Sequence, residues 1–290
     1  MAIYNLGSVN IDHFYALPHM PAAGETLHAA GHNIGLGGKG TNQSVAAAKA
    51  GATVFHIGAI GVRDVWVRER LVGFGVDCSH LRDTDHATGH AIIYVDADGE
   101  NCIVLENGAN HVQDVGAIRA ALKGAAKGDL FLLQNETDKQ AEAAELAASQ
   151  GLRVVYSAAP FDVDAIRAVM AHISLLAVNE VEAAQLCTAL GCDLASVPVP
   201  EILVTRGAEG ATWRSNETGE EIHVPAPRVT PVDTTAAGDT YLGYVAAGLD
   251  LGKAMAEAMG WAAQAAALKV TRHGTADAIP SAAEVAEFSK

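Results

Sequence analysis

Between residues 115 and 178 the chain alternates between segments of helical periodicity and short apolar runs. This spacing predicts helices over 115–123, 139–149 and 163–171, and strands over 130–134, 153–156 and 174–178. A series of alternating strands and helices packs best as a parallel sheet with helices on both faces. Ligands bind such sheets at the carboxyl ends of the strands, where this chain has Glu136 and Asn179.

Composition limits the class of protein and its partners. The 290 residues carry a formal net charge of −15, which opposes binding to the phosphate backbone of a nucleic acid. No apolar run approaches the roughly 20 residues that span a bilayer, and the N-terminus has no secretory pattern. The sequence therefore predicts a cytoplasmic protein without a nucleic-acid or membrane partner. The cysteines show no CxxC pair, and their spacing favours free thiols at Cys78, Cys102, Cys187 and Cys192.

The motif VDTTAAGDTYLG, at residues 232–243, has two aspartates around a turn of small residues, followed by a helix predicted over 240–249. The backbone N–H groups of Ala236, Ala237 and Gly238 can approach a ligand closely, and the first turn of a helix attracts phosphate. A carboxylate beside a phosphate site needs a separate task. Asp239 is therefore a candidate base for a hydroxyl that attacks phosphorus. The alternative is that Asp239 only caps the helix.

A second glycine-rich motif, GLGGKGTNQS, leads into an alanine-rich helix that ends at Gly51. It differs from the Walker motif, which has Ser or Thr directly after the lysine, and from the dinucleotide fingerprint, which follows the first strand directly. We interpret it as a site where Gly38 lets the backbone touch a small ligand while Lys39 and Asn42 point polar groups at it. A purely structural glycine turn is the alternative.

Two further pairs of polar residues have both a functional and a structural interpretation. A buried strand is predicted over 3–12, and Asn10 and Asp12 would leave its end by the same face, where they could grip adjacent hydroxyls of a polyol. The alternative is a turn at the strand exit. Asn179 and Glu182 have the spacing of a helix cap with its reciprocal acid, and capping is the simpler interpretation of both.

The remaining elements follow from turn and cap patterns. The turn DADGE joins two β-rich runs and predicts a hairpin over 90–105. Further strands are predicted over 25–34, 54–60, 201–205, 211–214 and 222–225, and further helices over 64–74, 253–269 and 281–288.

Taken together, GGKGTNQSVAAAKAGA and VDTTAAGDTYLG resemble the signatures of ribokinase-type (PfkB-type) carbohydrate kinases, and the likeness runs from GSVNID to VTRHGT. The DTTAAGD, TNQ and ENGAN segments are more similar to the ribokinase branch than to the adenosine kinase or fructokinase branches. The resemblance implies a doubly wound, mostly parallel α/β sheet with helices on both faces and a small β-sheet lid. The main domain would comprise residues 1–13, 35–87 and 107–290, and the lid residues 14–34 and 88–106. Such lids often pair between subunits, which implies a homodimer.

The resemblance also implies a reaction and its residues. The γ-phosphate of ATP, with Mg²⁺, would pass to the primary hydroxyl of a pentose, foremost D-ribose at O5, with Asp239 as base and Ala236, Ala237 and Gly238 as the anion hole. The sugar would contact Asn10, Asp12, Gly38, Lys39, Asn42 and Glu136. The nucleotide would contact Asn179, Thr205, Gly207, Gly210 and Gly238. A monovalent cation such as K⁺ would lie beneath the anion hole beside Asp233, Thr235, Arg272 and Gly274.

The chain departs from the family pattern at several positions. Ser157 stands where the family usually has Asn, Ala263 replaces a larger polar residue near the adenine, and Ala278 replaces a serine beside the cation. The last of these weakens the case for K⁺. The chain between Cys192 and residue 201 is also too short for a helix of the usual fold. These departures leave open a catalytically weak sugar-binding or regulatory protein, or a kinase for another sugar or nucleoside.

Overall fold

The computed structural model describes residues 1–289, which form a large and a small β-sheet with helices packed around the large one. The strands, in chain order, are β1 (Ile3–Leu6), β2 (Asn10–Ala16), β3 (Gly31–Gly37), β4 (Val54–Gly61), β5 (Leu81–Thr84), β6 (Gly89–Val95), β7 (Asn101–Glu106), β8 (Leu130–Gln134), β9 (Arg153–Ser157), β10 (Leu175–Asn179), β11 (Glu201–Thr205), β12 (Ala211–Ser215) and β13 (Glu221–Val224). The α-helices are α1 (Lys39–Lys49), α2 (Val65–Gly73), α3 (Val115–Ala121), α4 (Gln140–Ser149), α5 (Val163–Val169), α6 (Glu180–Leu190), α7 (Ala237–Asp250), α8 (Met255–Lys269) and α9 (Ala282–Phe288). None of these helices has the length and apolar character needed to cross a membrane.

The large sheet has the strand order β13-β12-β11-β10-β9-β8-β1-β4-β5. The strands from β11 to β5 are parallel, and β12 and β13 extend one edge antiparallel. Parallel strands buried on both faces read as continuous apolar runs, as the wholly buried β8 sequence LFLLQ does. The predicted mostly parallel sheet is confirmed, and the strands predicted over 130–134, 153–156 and 174–178 correspond to β8, β9 and β10.

Two hydrophobic cores lie on opposite faces of this sheet. Successive side chains of a strand point to opposite faces, so in β8 Leu130 and Leu132 enter one core while Phe131 and Leu133 enter the other. The first core contains the apolar faces of α1, α7 and α8, and the second contains those of α3, α4, α5 and α6. The prediction of helices on both faces is therefore confirmed.

The helices that follow the two glycine-rich motifs, α1 and α7, pack directly against each other. A Cβ at Gly243 would lie 2.5 Å from Ala46 Cβ and 2.7 Å from the Gln43 carbonyl oxygen, so only glycine permits this approach. The contact places the start of α1 beside the first turns of α7.

The predicted strand over 3–12 is two strands that belong to different sheets. β1 ends at Leu6, the chain turns through residues 7–9, and Asn10 begins β2 in the small sheet. The start of α1 packs against this turn so closely that a Cβ at Gly40 would lie 2.2 Å from Gly7 Cα. Apolar residues occur in both strands and, at Val9, in the turn between them, and the sequence pattern therefore did not reveal the change of sheet.

The small sheet has the strand order β3-β2-β6-β7. β6 and β7 pair antiparallel, which confirms the predicted hairpin, whereas β2 and β6 pair in parallel from Asn10 and Gly89 onwards. The strand predicted over 25–34 begins later, as β3. Strand residues 10–13 and 35–37 of this sheet lie outside the range 14–34 predicted for the lid.

Other helix boundaries follow from local caps. α6 begins after Asn179, whose side chain accepts from the Glu182 N–H while the Glu182 carboxylate accepts from the Asn179 N–H, so the predicted cap is confirmed. α7 begins at Ala237, before the predicted residue 240, because Gly238 and Asp239 are already helical. β5 was not predicted, since its sequence LRDT is short and mixes polar with apolar residues. Between Cys192 and β11 the regular structure is a single 3-10 turn, Leu194–Ser196.

Candidate active site

Asp239 lies in the first turn of α7 and is held by two amides of α1. Its Oδ2 accepts from Asn42 Nδ2 at 3.1 Å, and its Oδ1 accepts from Gln43 Nε2 at 3.1 Å, across 197 and 196 positions of sequence. The N-cap of α7 is Ala236, so Asp239 is not the capping residue. Only 9% of Asp239 is exposed. The two glycine-rich motifs therefore meet at this carboxylate.

The turn before Asp239 has the geometry of an anion site. Ala236 adopts a left-handed conformation with φ 59°, which is unusual for a residue with a side chain, and it turns the chain into α7. A Cβ at Gly238 would have no atom within 4 Å, so the backbone is open on that side. N–H groups in the first turn of a helix have no partner within the helix, and the helix dipole is positive there. This turn can therefore receive a phosphate.

A second carboxylate, Glu136, follows β8 and joins the start of α1 to the turn after β1. Glu136 Oε2 accepts from Ser8 Oγ at 2.5 Å and from the Lys39 N–H at 2.9 Å. Burial raises the pKa of Glu136, and the Lys39 ammonium opposes this shift. The pKa of Lys39 is itself raised, chiefly by the Asp239 carboxylate. Lys39 thus lies in the field of both Glu136 and Asp239.

The predicted sugar residues of β2 are buried in the strand and do not form a turn. Asn10 and Asp12 are 7% and 5% exposed, and Asn10 Oδ1 accepts from Asn110 Nδ2 at 2.8 Å. Burial, with a smaller contribution from Glu136, raises the pKa of Asp12 to about 7. The carboxylate lies against the backbone of β3, because a Cβ at Gly37 would be 1.9 Å from Asp12 Oδ2.

Gly38 closes the group of predicted sugar residues. Its φ of 92° is open to glycine and strained for other residues, and a Cβ there would lie 3.0 Å from Ser8 Oγ. The six residues predicted to contact a sugar thus form one connected group. Some of them touch directly, and the others are linked through Ser8, through Asp239 or through the charge of Glu136. The six are Asn10, Asp12, Gly38, Lys39, Asn42 and Glu136.

The residues predicted to bind a nucleotide line two adjoining cavities. The first, of about 210 Å³, is bounded by Asn179, Thr205 and Gly238 together with Lys39 and Asp239. The second, of about 510 Å³, shares Thr205 and Gly238 with the first and has a largely alanine, valine and proline lining. This arrangement places a smaller, more polar compartment beside a larger, mostly apolar one, as a nucleotide with its phosphates and its base would require.

Two predicted nucleotide residues and two departures from the family pattern also lie here. Gly207 and Gly210 line the larger cavity, but a Cβ at Gly210 would lie 2.1 Å from the Val224 carbonyl oxygen, so strand packing alone requires this glycine. Ser157 lines the smaller cavity and Ala263 the larger one. Both departures therefore act on the shape of these cavities.

The residues predicted to hold a monovalent cation are only partly brought together. Asp233 accepts from the Thr235 N–H through Oδ1 at 2.8 Å and from the Gly274 N–H through Oδ2 at 2.9 Å. The Arg272 guanidinium carries a positive charge, so it cannot itself be a ligand, and it pairs with Glu284 at 2.8 Å. Sequence reasoning missed Lys269, whose fully buried Nζ donates to the Asp233 carbonyl oxygen at 3.0 Å.

Three polar residues that support the site were also missed. Gln43 Oε1 accepts from Gln134 Nε2 at 2.8 Å. The Asn110 side chain accepts from the Val9 N–H and donates to the Val9 carbonyl oxygen. Ser8 bonds Glu136, as described above. Gln43 stands directly after Asn42 in the motif GLGGKGTNQS, so a second polar residue at the start of this helix could have been predicted to support the site.

The chain is similar to known carbohydrate kinases in sequence and in fold. The sequence matches the pfkB family carbohydrate kinase description over residues 3–282. It is similar to the ribokinase of Haemophilus influenzae, with 33% identity over 299 residues that cover 98% of this chain and 96% of the relative. Among solved structures it resembles the ribokinase of Cryptococcus neoformans in complex with ADP, with 32% identity, a TM-score of 0.83 and 99% of each chain covered. It also resembles the Arabidopsis thaliana ribokinase complexed with ribose and ATP, with 26% identity, a TM-score of 0.87, and 100% and 99% of the two chains covered.

Proposed function

Because the chain belongs to the pfkB family of carbohydrate kinases, we propose that it transfers the γ-phosphate of ATP to the primary hydroxyl of a pentose, giving ribose 5-phosphate from D-ribose. One observation carries this proposal. Asp239 lines the smaller cavity, is held there by Asn42 and Gln43, and lies near enough to Glu136 for its charge to raise the pKa of that residue. Relatives named ribokinase support ribose as the substrate.

The proposed roles in catalysis follow from position and charge. Asp239 would orient the attacking hydroxyl and take its proton late, because phosphoryl transfer needs alignment and charge stabilisation more than a strong base. The N–H groups of Ala236, Ala237 and Gly238 would stabilise the charge that develops on the transferred phosphoryl group. The Asp239 carboxylate lies close enough to the Lys39 ammonium to raise the pKa of Lys39. This ammonium would stabilise the same developing charge from the side of the sugar.

The proposed substrate contacts divide between two walls of the cleft. Asn10, Asp12 and Glu136 offer carbonyl and carboxylate oxygens for sugar hydroxyls, and Gly38 keeps the backbone accessible. Lys39 and Asn42 complete this set. On the other wall the nucleotide would contact Asn179, Thr205, Gly207, Gly210 and Gly238.

We include Mg²⁺ in the proposal, since Glu182 lines the smaller cavity and suits it. Mg²⁺ usually binds one or two carboxylates together with substrate phosphates and water, and binding at Glu182 would leave the Asp239 carboxylate available as the base. Burial raises the pKa of Glu182, and a cation beside it would oppose that shift. When bound, the ion would neutralise charge on the phosphates.

We further propose that the small sheet is a lid over the sugar and pairs with a second copy in a homodimer. Its strand β7 has every residue exposed, and Ile103, Val104 and Leu105 are 52%, 57% and 53% exposed. Ile34 on β3 is 55% exposed. Apolar side chains on an otherwise uncovered sheet favour a partner surface. The free thiols of all four cysteines support a reducing compartment, and we propose the cytoplasm.

The test is an ADP-release assay with D-ribose, other pentoses, hexoses and nucleosides as acceptors. Asp239→Asn is expected to lower kcat on the order of 10²–10⁴-fold while the dissociation constant for ribose changes little. Asp250→Asn is the matched control, because this buried aspartate is at the other end of the same helix, away from both cavities. Unchanged turnover in Asp239→Asn would rule out Asp239 as the catalytic base. Ribose binding without ADP release in the wild type would favour the sugar-binding or regulatory alternative.

A further inference from the structure

Lys269 is the last residue of α8, and its side chain is fully buried. Its Nζ donates to the carbonyl oxygen of Asp233 at 3.0 Å and lies 3.9 Å from Asp233 Oδ1. A buried ammonium is costly unless oxygen atoms surround it. Here those oxygens come from the loop that leads into the anion turn at residues 236–238.

This loop is tied to the end of α8 at several points. The N–H groups of Val232 and Asp233 both donate to the Val270 carbonyl, at 2.7 and 3.1 Å, and Gly274 N–H donates to Asp233 Oδ2. Asp233 Oδ1 in turn fixes the Thr235 N–H, one residue before Ala236. A displacement of the Lys269 side chain would therefore move Asp233 and, with it, the turn that would receive the phosphate.

The residues present do not suit an additional monovalent cation. A K⁺ ion beside Asp233 would lie close to the Lys269 ammonium, whose Nζ is 3.9 Å from Asp233 Oδ1, and the two positive charges would repel each other. Ala278, whose Cβ lies 4.0 Å from the ideal Cβ position at Gly274, supplies no side-chain oxygen.

We propose that the Lys269 ammonium is a built-in cation that takes the place of K⁺ beneath the anion turn, so that phosphoryl transfer by this protein requires no monovalent cation. The inference rests on the proposed kinase function. Lys269 is a positioning residue, because it acts through Asp233 and does not touch the substrate. Its positive charge holds the loop carbonyl in place and adds to the positive potential at Gly238.

The first measurement is the cation dependence of the wild type. Turnover is expected to be the same in chloride salts of K⁺, Na⁺ and tetramethylammonium at constant ionic strength. In Lys269→Ala, turnover in tetramethylammonium chloride is expected to fall roughly 10- to 100-fold and to recover largely when K⁺ or NH₄⁺ is supplied. Lys269→Met fills the same volume without charge, so it should lose turnover and show no recovery.

Lys49→Ala is the control variant, because Lys49 also donates from a partly buried ammonium to a backbone carbonyl, that of Ile279, outside this loop. It should keep wild-type turnover and gain no dependence on cations. Stimulation of the wild type by K⁺, or full turnover in Lys269→Met, would overturn the proposal. So would a loss in Lys269→Ala that no cation restores.

A second readout needs no activity. The melting temperature of Lys269→Ala should rise saturably with KCl, by roughly 5–10 °C near 100 times the dissociation constant, whereas the wild type should not respond. An active wild-type kinase whose Lys269→Ala variant gains no K⁺-dependent stability would refute the cation role alone. A K⁺-dependent melting temperature together with an inactive wild type would refute the proposed kinase function and leave the cation role intact.

Discussion

Replacing Gly243 by alanine should separate α1 from α7 and thereby disturb Asp239. The added Cβ would lie 2.5 Å from Ala46 Cβ, about 1 Å less than an ordinary contact, so the helices must move apart by a comparable distance. Overpacking of this kind costs about 1–3 kcal/mol, and the gain from replacing a helical glycine offsets about 0.5–1 kcal/mol. The net cost of about 0–2.5 kcal/mol corresponds to a melting temperature lower by up to roughly 10 °C.

The same movement should reduce turnover through the hydrogen bonds of Asp239. The donors Asn42 and Gln43 are on α1 at 3.1 Å from the carboxylate oxygens, so a shift of about 1 Å would break one or both bonds. A misplacement of this size can cost about 100-fold in rate, and we expect kcat to fall roughly 10- to 100-fold at a temperature where the variant is folded.

The assays are thermal unfolding and ADP release, with Gly260→Ala as the matched control. Gly260 is also a helical glycine, in α8, but its Cβ would have no atom within 4 Å, so alanine should stabilise by about 0.5–1 kcal/mol and leave kcat unchanged. A melting temperature raised as much in Gly243→Ala as in Gly260→Ala would show that the packing argument is wrong. A lower melting temperature with wild-type kcat would show that Asp239 does not depend on the spacing of the two helices.

Three further predictions concern Asp12 and its contact with β3. Because the pKa of Asp12 is raised to about 7, KM for ribose should be constant above that pH and rise about tenfold per unit below it, and Asp12→Asn should abolish this inflection. The raised pKa also means that the ionised carboxylate of Asp12 destabilises the folded protein above pH 7. Asp12→Asn should therefore raise the melting temperature of the ligand-free protein above pH 7 but not near pH 4. A pH series of melting curves would check this. In Gly37→Ala the new Cβ would displace the Asp12 carboxylate, and KM for ribose should rise about tenfold or more; Gly35→Ala is the control, because its Cβ would make only ordinary contacts. A KM that does not change with pH would contradict the role of the ionised Asp12 carboxylate in ribose binding. A Gly37→Ala variant with wild-type KM would contradict the placement of that carboxylate against β3.

Patterns confined to a few neighbouring residues were sufficient to predict most helices and strands. The apolar run of β8, the Asp-Gly turn between β6 and β7 and the cap of α6 at Asn179 depend on nearest neighbours, so the sequence shows them directly. The reaction class and most residues around the cleft followed from two ordered motifs and the family resemblance they carry. Their assigned roles stay predictions that the experiments above test.

Only the tertiary structure decided which distant residues meet. The change of sheet between β1 and β2 depends on packing of α1 against Gly7, and the partners of Asp239 depend on the contact of Gly243 with Ala46. Lys269 shows the limit most clearly. A lysine in the last turn of a helix is expected in solvent, where it complements the helix dipole, yet here it is buried against a carbonyl 36 positions away. The sequence by itself determined the elements and the chemistry available, because both are local, whereas long-range packing determined which charges face each other.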